Sequence, residues 1–393
     1  MRPKLYGVLL ALYVLAGRWG FDRILYGARF DNDYLTFDLD AVSLYELRFW
    51  VVTGLMVVLL LQPKSSASAP VKPGARNFAL ALNLYFLYTF VTALWAPDGR
   101  FAFQKSWELL LVVLASVCVH QVSVRPEGQE VRAAFWSCLT AMTGGMGVMA
   151  LFKAATGGAE RLAVLGGGPN VFGRMMGLLC IGSLYFWRRK GGPWFVASTV
   201  MAAVLVVLSG SRGGMISVAA SVAAFFFFER LDARKVLVFT TGALAFGLAV
   251  TFGTSVGRNA IETYEVRVNQ LMIKEGHTSG RTDIYKDAYA LGLKYPVFGA
   301  GLAGFPGLGL GVYPHNFFLE EFCEGGVVGL ALLGLLFVLF TKQVLLKRRD
   351  VDGATVAAFV LMLLTSQFSG DLYDSRAVFM FMMMGFMPRG KDG

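Results

Sequence analysis

The sequence predicts an all-α, polytopic membrane protein with about twelve transmembrane helices, and two observations support this fold class. Apolar residues make up 56% of the 393 residues and charged residues only 16%, a composition outside the range of ordinary soluble domains. The charges cluster between apolar runs of about 17–25 residues, the length that crosses a bilayer as a helix. Because the backbone must satisfy its own hydrogen bonds in lipid, and the runs are too long for barrel strands, helices are expected.

The apolar runs define twelve candidate spans, of which the first and the last are the shortest. They cover residues 5–17, 43–61, 78–96, 107–123, 131–152, 170–187, 193–209, 213–228, 235–253, 316–341, 354–369 and 375–388. An even number of spans places both termini on one side. The loops on that side are short and basic, so both termini are expected in the cytoplasm. The basic cytoplasmic loops account for the net charge of +10, so this charge does not indicate a nucleic-acid partner.

We expect residues 1–393 to form a single membrane domain. Residues 254–314 form one long connection on the side of the membrane opposite the termini. Ile284, Ala288 and Leu291 recur at helical spacing opposite charged residues, which predicts an amphipathic helix at the membrane surface. A glycine-rich run, 299–311, follows this helix. A flexible loop is the simpler interpretation of the run, and a nest of backbone amides that binds an anion is the alternative.

Two arginines next to apolar runs are candidates for binding an anion. Arg212 lies in the motif Ser209-Gly-Ser-Arg-Gly-Gly214 between two such runs, where a charge is costly unless it faces water, a partner or a ligand. Arg174 lies about one turn inside the sixth span, which begins at Asn170. A structural role, such as pairing with a carbonyl, is the alternative for Arg174. A guanidinium group pairs bidentately with phosphate, so a diphosphate is a suitable ligand.

The long loop contains three further arginines. Ser279 is a possible N-cap for the helix that begins near Arg281, so a phosphate could meet this guanidinium and free helix-start amides together. Solvated loop charges are the simpler interpretation of Arg258 and Arg267. On the same side, Asp31 and Asp33 could bind a divalent metal, although a solvated turn is the simpler interpretation of that pair as well.

His315 is the candidate catalytic base. It follows Pro314 at the start of the tenth span and adjoins Asn316. Nearby arginines disfavour the charged imidazole, which leaves a neutral ring that can accept a proton near neutral pH. Glu324 lies further along the same span, where a carboxylate is costly and therefore of functional interest.

Four motifs, taken in their order, resemble the O-antigen ligase and O-antigen polymerase superfamily of bacterial inner membranes. They are Gly168-Pro-Asn170-Val-Phe-Gly173, Ser209-Gly-Ser-Arg212-Gly-Gly214, Ser279-Gly-Arg281 and His315-Asn316-x-x-Leu319, with Glu324-x-Gly326-x-x-Gly329 after the last. The motifs cover residues 165–345. The resemblance implies a fold of the lipid-dependent glycosyltransferase (GT-C-like) type. It also implies transfer of a glycan from undecaprenyl diphosphate at the periplasmic face of the inner membrane.

The same resemblance assigns Arg212 and Arg281 to the diphosphate and His315 to the acceptor hydroxyl, with no metal or cofactor. Arg174 departs from the small residue that is more usual at its place. An O-antigen ligase, which uses a lipid A-core acceptor, is the expected function. A polymerase, which uses another carrier-linked repeat unit, is the alternative, and a lipid-linked sugar flippase or transporter is a more remote one. The expected partners are the carrier-linked glycan, the acceptor and membrane lipids.

Overall fold

The computed structural model describes residues 3–16, 47–61, 73–123, 127–156, 161–165, 168–229, 231–266, 281–347, 351–387 and 389. Within these ranges the regular structure is helical throughout. The helices are α1 (Pro3–Leu15), α2 (Leu47–Leu60), α3 (Pro73–Val91), α4 (Gly99–Ser123), α5 (Gly128–Ala155), α6 (Gly168–Lys190), α7 (Pro193–Leu208), α8 (Arg212–Glu229), α9 (Ala233–Gly253), α10 (Ser255–Tyr264), α11 (Arg281–Lys294), α12 (Gly304–Gly307), α13 (Phe317–Leu346), α14 (Gly353–Thr365) and α15 (Arg376–Met384).

Each of the twelve predicted spans coincides with one of these helices, although the ends differ by several residues. In the described ranges, six helices are long and apolar enough to cross a membrane: α3 with the short 3-10 turn after it, α4, α5, α8, α9 and α13. Helices α1, α2, α7 and α14 are apolar but shorter. The chain is therefore a multi-pass membrane protein, while the count of twelve spans stays a prediction.

Helix α6 lies at the centre of the bundle. It packs against α5, α7, α8 and α14 and is buried over most of its length. Small residues permit this packing: a Cβ atom at Gly177 would approach the Leu361 side chain of α14 to 2.8 Å. Small residues at such interfaces let helices approach closely in a membrane protein. The first turns of α6, which carry Asn170 and Arg174, are thus held inside the bundle.

The predicted amphipathic helix is confirmed as α11, but its apolar face packs on protein. Ala288 and Leu291 are buried in a small cluster with Cys323 of α13. Asp283 and Lys286 lie on the exposed side. Helix α11 therefore packs as a second layer over the first turns of α13, directly after the segment that carries His315.

The prediction of a flexible loop for the glycine-rich run is wrong for its first half. The amide of Ala300 donates to the carbonyl of Cys323 at 2.8 Å, and that of Gly301 donates to the carbonyl of Glu324 at 3.0 Å. The Ala303 amide donates to the Glu324 carboxylate at 2.9 Å. Because these amides already have partners on α13, the anion-nest alternative is also wrong for them.

The run fits against α13 because that helix is broken at Gly326. Gly326 has φ 66° and ψ −164°, far from helical values. Only glycine adopts such a conformation readily. The amides freed by the break donate to the preceding segment, Val327 to the Pro296 carbonyl at 2.8 Å and Val328 to the Val297 carbonyl at 3.2 Å. Residues 296–297 of the long connection are thereby hydrogen-bonded to α13.

Candidate functional site

A cavity of about 240 Å³ lies at the end of the bundle where α6 and α15 begin and where α1 ends. It is smaller than the range of about 300–1,000 Å³ typical of drug-sized ligands, and its volume suits one small polar group or sugar ring. Its polar lining consists of Asn170, Arg174, Tyr313, His315, Ser369, Asp374 and Arg376. Three of the predicted site residues, Asn170, Arg174 and His315, therefore share one chamber.

His315 is held in a strained backbone conformation at the edge of this cavity. Its φ of 57° lies in the left-handed region, which costs of order 1–3 kcal/mol for a residue other than glycine and is found at functional sites. Its ring contacts the Tyr313 ring edge-on, with the two ring centroids 4.5 Å apart. Its Nδ1 atom is buried and has no hydrogen-bond partner among the described residues.

The electrostatic surroundings keep the His315 imidazole neutral. Its pKa is lowered from 6.5 to about 4, mainly by burial and then by the charge of Arg281, against an opposing effect of Asp371. Arg281 begins α11 and is half-buried. The predicted effect of an arginine on this histidine is therefore present. Arg281 acts from α11 without lining the cavity.

Arg174 is the most deeply placed predicted cation. Its side chain donates to the Ser369 carbonyl at 3.2 Å and to the Asp374 carbonyl at 3.5 Å. Its Nε atom is buried without a hydrogen-bond partner in the described part of the chain. The alternative that Arg174 pairs with carbonyls is thus correct for part of the group. A buried donor without a partner requires an explanation, and a bound ligand is one.

The elements around the cavity meet at the turn formed by residues 366–375, between α14 and α15. Its Gln367 carbonyl accepts from the Tyr285 hydroxyl at 2.9 Å and from the Asn316 side chain at 3.4 Å. Its Ser366 carbonyl accepts from the Phe317 amide at 3.2 Å. With the two carbonyls that hold Arg174, this 366–375 turn contacts α6, α11 and α13 through its backbone.

Arg212 begins α8 beside the same turn. The Ser211 hydroxyl caps the helix by accepting from the Gly214 amide at 3.2 Å. A Cβ atom at Gly213 would lie 2.5 Å from the Phe368 ring, and one at Gly173 would lie 3.2 Å from the Ser209 hydroxyl. The small residues around Arg212 therefore admit Phe368 of the 366–375 turn and the first turns of α6. Arg212 is half-buried and does not line the cavity.

The structure does not bring the other candidate residues to the cavity. Asn316 caps α13 by accepting from the Phe318 and Leu319 amides at 3.1 and 3.0 Å. Glu324 pairs with Lys105 at 2.5 Å, and Arg258 is exposed on α10. Neither lines the cavity. Arg267, Asp31, Asp33 and Ser279 lie outside the described residues.

Sequence reasoning missed several buried charges near this end of the bundle. Arg376 and Asp374 line the cavity, and Arg376 also donates to the Tyr13 carbonyl at the end of α1 at 3.3 Å. Lys105 of α4 bridges Glu320 and Glu324 at 2.5 Å each. A signal was available, since an ionisable residue inside a predicted span is by default of functional interest. Lys105 precedes the predicted fourth span, which begins at 107, so the criterion of an ionisable residue inside a span did not select it.

The fold and the site define a multi-pass helical membrane protein with two arginines, Arg174 and Arg376, and a neutral histidine lining one cavity. Residues 197–334 match a family model described as O-antigen ligase. The match confirms the resemblance to the O-antigen ligase and polymerase superfamily, whose members are glycosyltransferase-like enzymes. The matched span contains Arg212, Arg281 and His315, whereas Arg174 and the 366–375 turn lie outside it. No curated protein matches the chain.

Proposed function

We propose that the protein is an O-antigen ligase, which transfers a glycan from undecaprenyl diphosphate to a sugar hydroxyl of lipid A-core at the periplasmic face. The family match supports the reaction class. The observation that carries the proposal is the cavity shared by His315 and Arg174, where each side chain has a buried nitrogen without a partner among the described residues. One nitrogen is suited to the acceptor hydroxyl and the other to an anion.

The reaction is a single displacement at the anomeric carbon. The acceptor oxygen forms the new glycosidic bond while the bond from the sugar to the diphosphate breaks, so the configuration at that carbon inverts. The hydroxyl proton passes to His315, a transfer typically worth about 10²–10⁴-fold in rate. The electron pair of the broken bond stays on the diphosphate. Arg174 stabilises that growing charge from the cavity lining, while Arg281 and Arg212 add positive charge from the starts of α11 and α8, outside the lining. Cations fixed in place favour the transition state over the ground state.

The low pKa of His315 couples donor binding to base strength. A ring with a pKa of about 4 is neutral at pH 7 but is a weak base. An anion next to a titratable group favours its charged form, so a bound diphosphate raises this pKa toward its ordinary range. The imidazole thus becomes a better proton acceptor once the donor is in place. Without donor, Arg281 and burial keep the ring uncharged.

The test is reconstitution of the purified protein in detergent with a carrier-linked glycan and two separate acceptors. A ligase transfers the glycan to lipid A-core. A polymerase extends a second carrier-linked glycan instead, which would correct the proposal within the same superfamily. Absence of any glycosidic product, together with movement of the carrier-linked glycan across vesicles, would assign the protein to transport and overturn it.

A further inference from the structure

Tyr285 links the helix that carries Arg281 to the turn that holds the cavity together. It lies one turn after Arg281 on α11 and is half-buried. Its hydroxyl donates to the Gln367 carbonyl at 2.9 Å, across 82 residues of sequence. The same carbonyl accepts from the side chain of Asn316, the residue next to His315. One backbone atom therefore sets the position of α11 relative to the His315 segment.

The contacts that bury α11 against α13 are apolar. Ala288 and Leu291 pack in a cluster with Cys323, and a Cβ atom at Gly292 would lie 2.3 Å from the Phe322 ring. Apolar burial is non-directional and scales with area, so it holds the helix on α13 without fixing its end at Arg281. A hydrogen bond has a preferred distance and angle. The Tyr285 hydroxyl, which also contacts the Asn316 side chain, makes a directional contact at that end of the helix.

We propose that Tyr285 is a positioning residue, which fixes the start of α11, and with it Arg281, relative to the His315 segment by its hydrogen bond to the Gln367 carbonyl. The inference rests on the proposed function for its consequences in catalysis. Its structural content, the distance between Arg281 and His315, does not depend on that function.

Several charged groups face His315, and they belong to four elements. Arg281 acts from α11 and Asp371 from the 366–375 turn. Arg174 of α6, Asp374 of the turn and Arg376 of α15 line the same cavity. The Tyr313 ring contacts the imidazole directly. Tyr285 itself lies on the element of Arg281 and bonds to the turn that carries Asp371 and Asp374. The turn has further backbone contacts to α6 and α13, so the loss of Tyr285 is expected to change mainly the effect of Arg281 on His315.

The experiment compares Tyr285→Phe with Tyr289→Phe, one turn along the same helix. Tyr289 is 53% exposed and contacts the Phe322 ring, so its substitution controls for loss of a tyrosine hydroxyl on α11. The titration of His315 is followed by NMR on histidine-labelled protein in detergent, without substrate, with the signal assigned from His315→Asn. Initial rates are measured against the concentration of the carrier-linked donor.

Tyr285→Phe is expected to move the His315 midpoint upward by roughly half a pH unit or more, because a positive charge recedes from the ring. It is expected to raise KM for the donor severalfold, while Tyr289→Phe matches the parent protein in both measurements. In an Arg281→Gln background, Tyr285→Phe should cause no further change in the His315 titration, because the group it positions is gone.

Equal titration of the parent protein and Tyr285→Phe would overturn the positioning role and leave the proposed function standing. A further shift in the Arg281→Gln background would also overturn it, because Tyr285 would then act on His315 by another route. If the titration moves as expected but no form transfers glycan, the positioning role survives and the proposed function fails.

Discussion

The two ends of α6 hold arginines in different electrostatic situations, with Arg174 buried at one end and Arg188 half-buried at the other. At the far end, Arg188 and Arg389 both contact the carboxylate of Glu229, which also accepts from the Gly353 amide at 2.8 Å. At the cavity end, Arg174 donates to two carbonyls. The Asp374 carboxylate in the same cavity attracts Arg174, but its ion pair among the described residues is with Arg376, at 3.9 Å. About 21 Å of helix separates the two ends, from fourteen residues at about 1.5 Å each.

This difference indicates that Arg188 stabilises the packing of the helices, whereas Arg174 is available to bind a ligand. A buried ion pair is strongly destabilised when one partner is removed, because the remaining charge has no compensation. Glu229 joins α8 to α6, α14 and the segment after α15 in this way. A buried guanidinium without a close ion pair costs stability until an anion binds. Arg174 therefore lowers the stability of the folded protein, and a bound diphosphate is expected to restore it.

The largest expected effect tests the cavity end directly. His315→Asn should reduce the transfer rate by about 10²–10⁴-fold and leave donor binding nearly unchanged. Asparagine tolerates the left-handed backbone at this position, so the loss reports the imidazole. The measurement is initial transfer rate in purified membranes. His120→Asn, a half-buried histidine of α4 outside the cavity, is the control. Transfer at the parent rate would exclude His315 as the base.

At the far end, Glu229→Ala should destabilise the protein by about 3 kcal/mol, because Arg188 and Arg389 lose their shared carboxylate. Thermal unfolding in detergent measures the effect as a lower Tm. The transfer rate per folded molecule should not change. Glu262→Ala, on the exposed side of α10, is the matched control. An unchanged Tm would show that these buried pairs do not assemble the bundle.

Arg174→Met should show the opposite pattern. The Tm should stay the same or rise, because a buried charge without a close ion pair is removed. Affinity for the carrier-linked donor should fall by roughly tenfold to a hundredfold, the range of a hydrogen bond to a charged group. Donor titration and thermal unfolding are measured on the same sample. Arg234→Met, exposed at the start of α9, is the control. A large drop in Tm with intact affinity would make Arg174 a structural residue.

The smallest expected effect concerns pH. Because His315 must be neutral to accept a proton and its pKa is about 4, kcat/KM of the parent protein should be flat from about pH 5 to 8 and fall only below that range. Arg281→Gln removes a charge that lowers this pKa, so the acidic limb should move to higher pH. The pH profiles of the two proteins provide the measurement. If the acidic limbs of the two pH profiles coincide, Arg281 does not affect the pKa of His315.

Local patterns predicted the helices well because membrane helices depend on short-range composition. The apolar runs located all twelve segments, and the spacing of Ile284, Ala288 and Leu291 located α11. The same patterns failed for the first half of the glycine-rich run. The glycines at 299 and 301 predicted flexibility, whereas both are needed because backbone from distant segments lies too close for a Cβ atom at either position.

The cavity could be predicted only in part because its lining is assembled from distant segments. His315 and Arg174 were found from their cost in an apolar setting, which is a local property. Arg376 and the 366–375 turn were missed because their importance lies in carbonyl contacts to residues about 50 to 360 positions away. Such contacts leave no periodicity in the sequence.

The break at Gly326 constrains how this protein can be recombined with its relatives. Because Val327 and Val328 donate to Pro296 and Val297, the connection of residues 254–314 shares its hydrogen bonds with the middle of α13. A chimera that exchanges the connection alone is expected to lose these hydrogen bonds and leave the Val327 and Val328 amides without their partners. Exchange of specificity between relatives should therefore use one cassette that runs through residue 330.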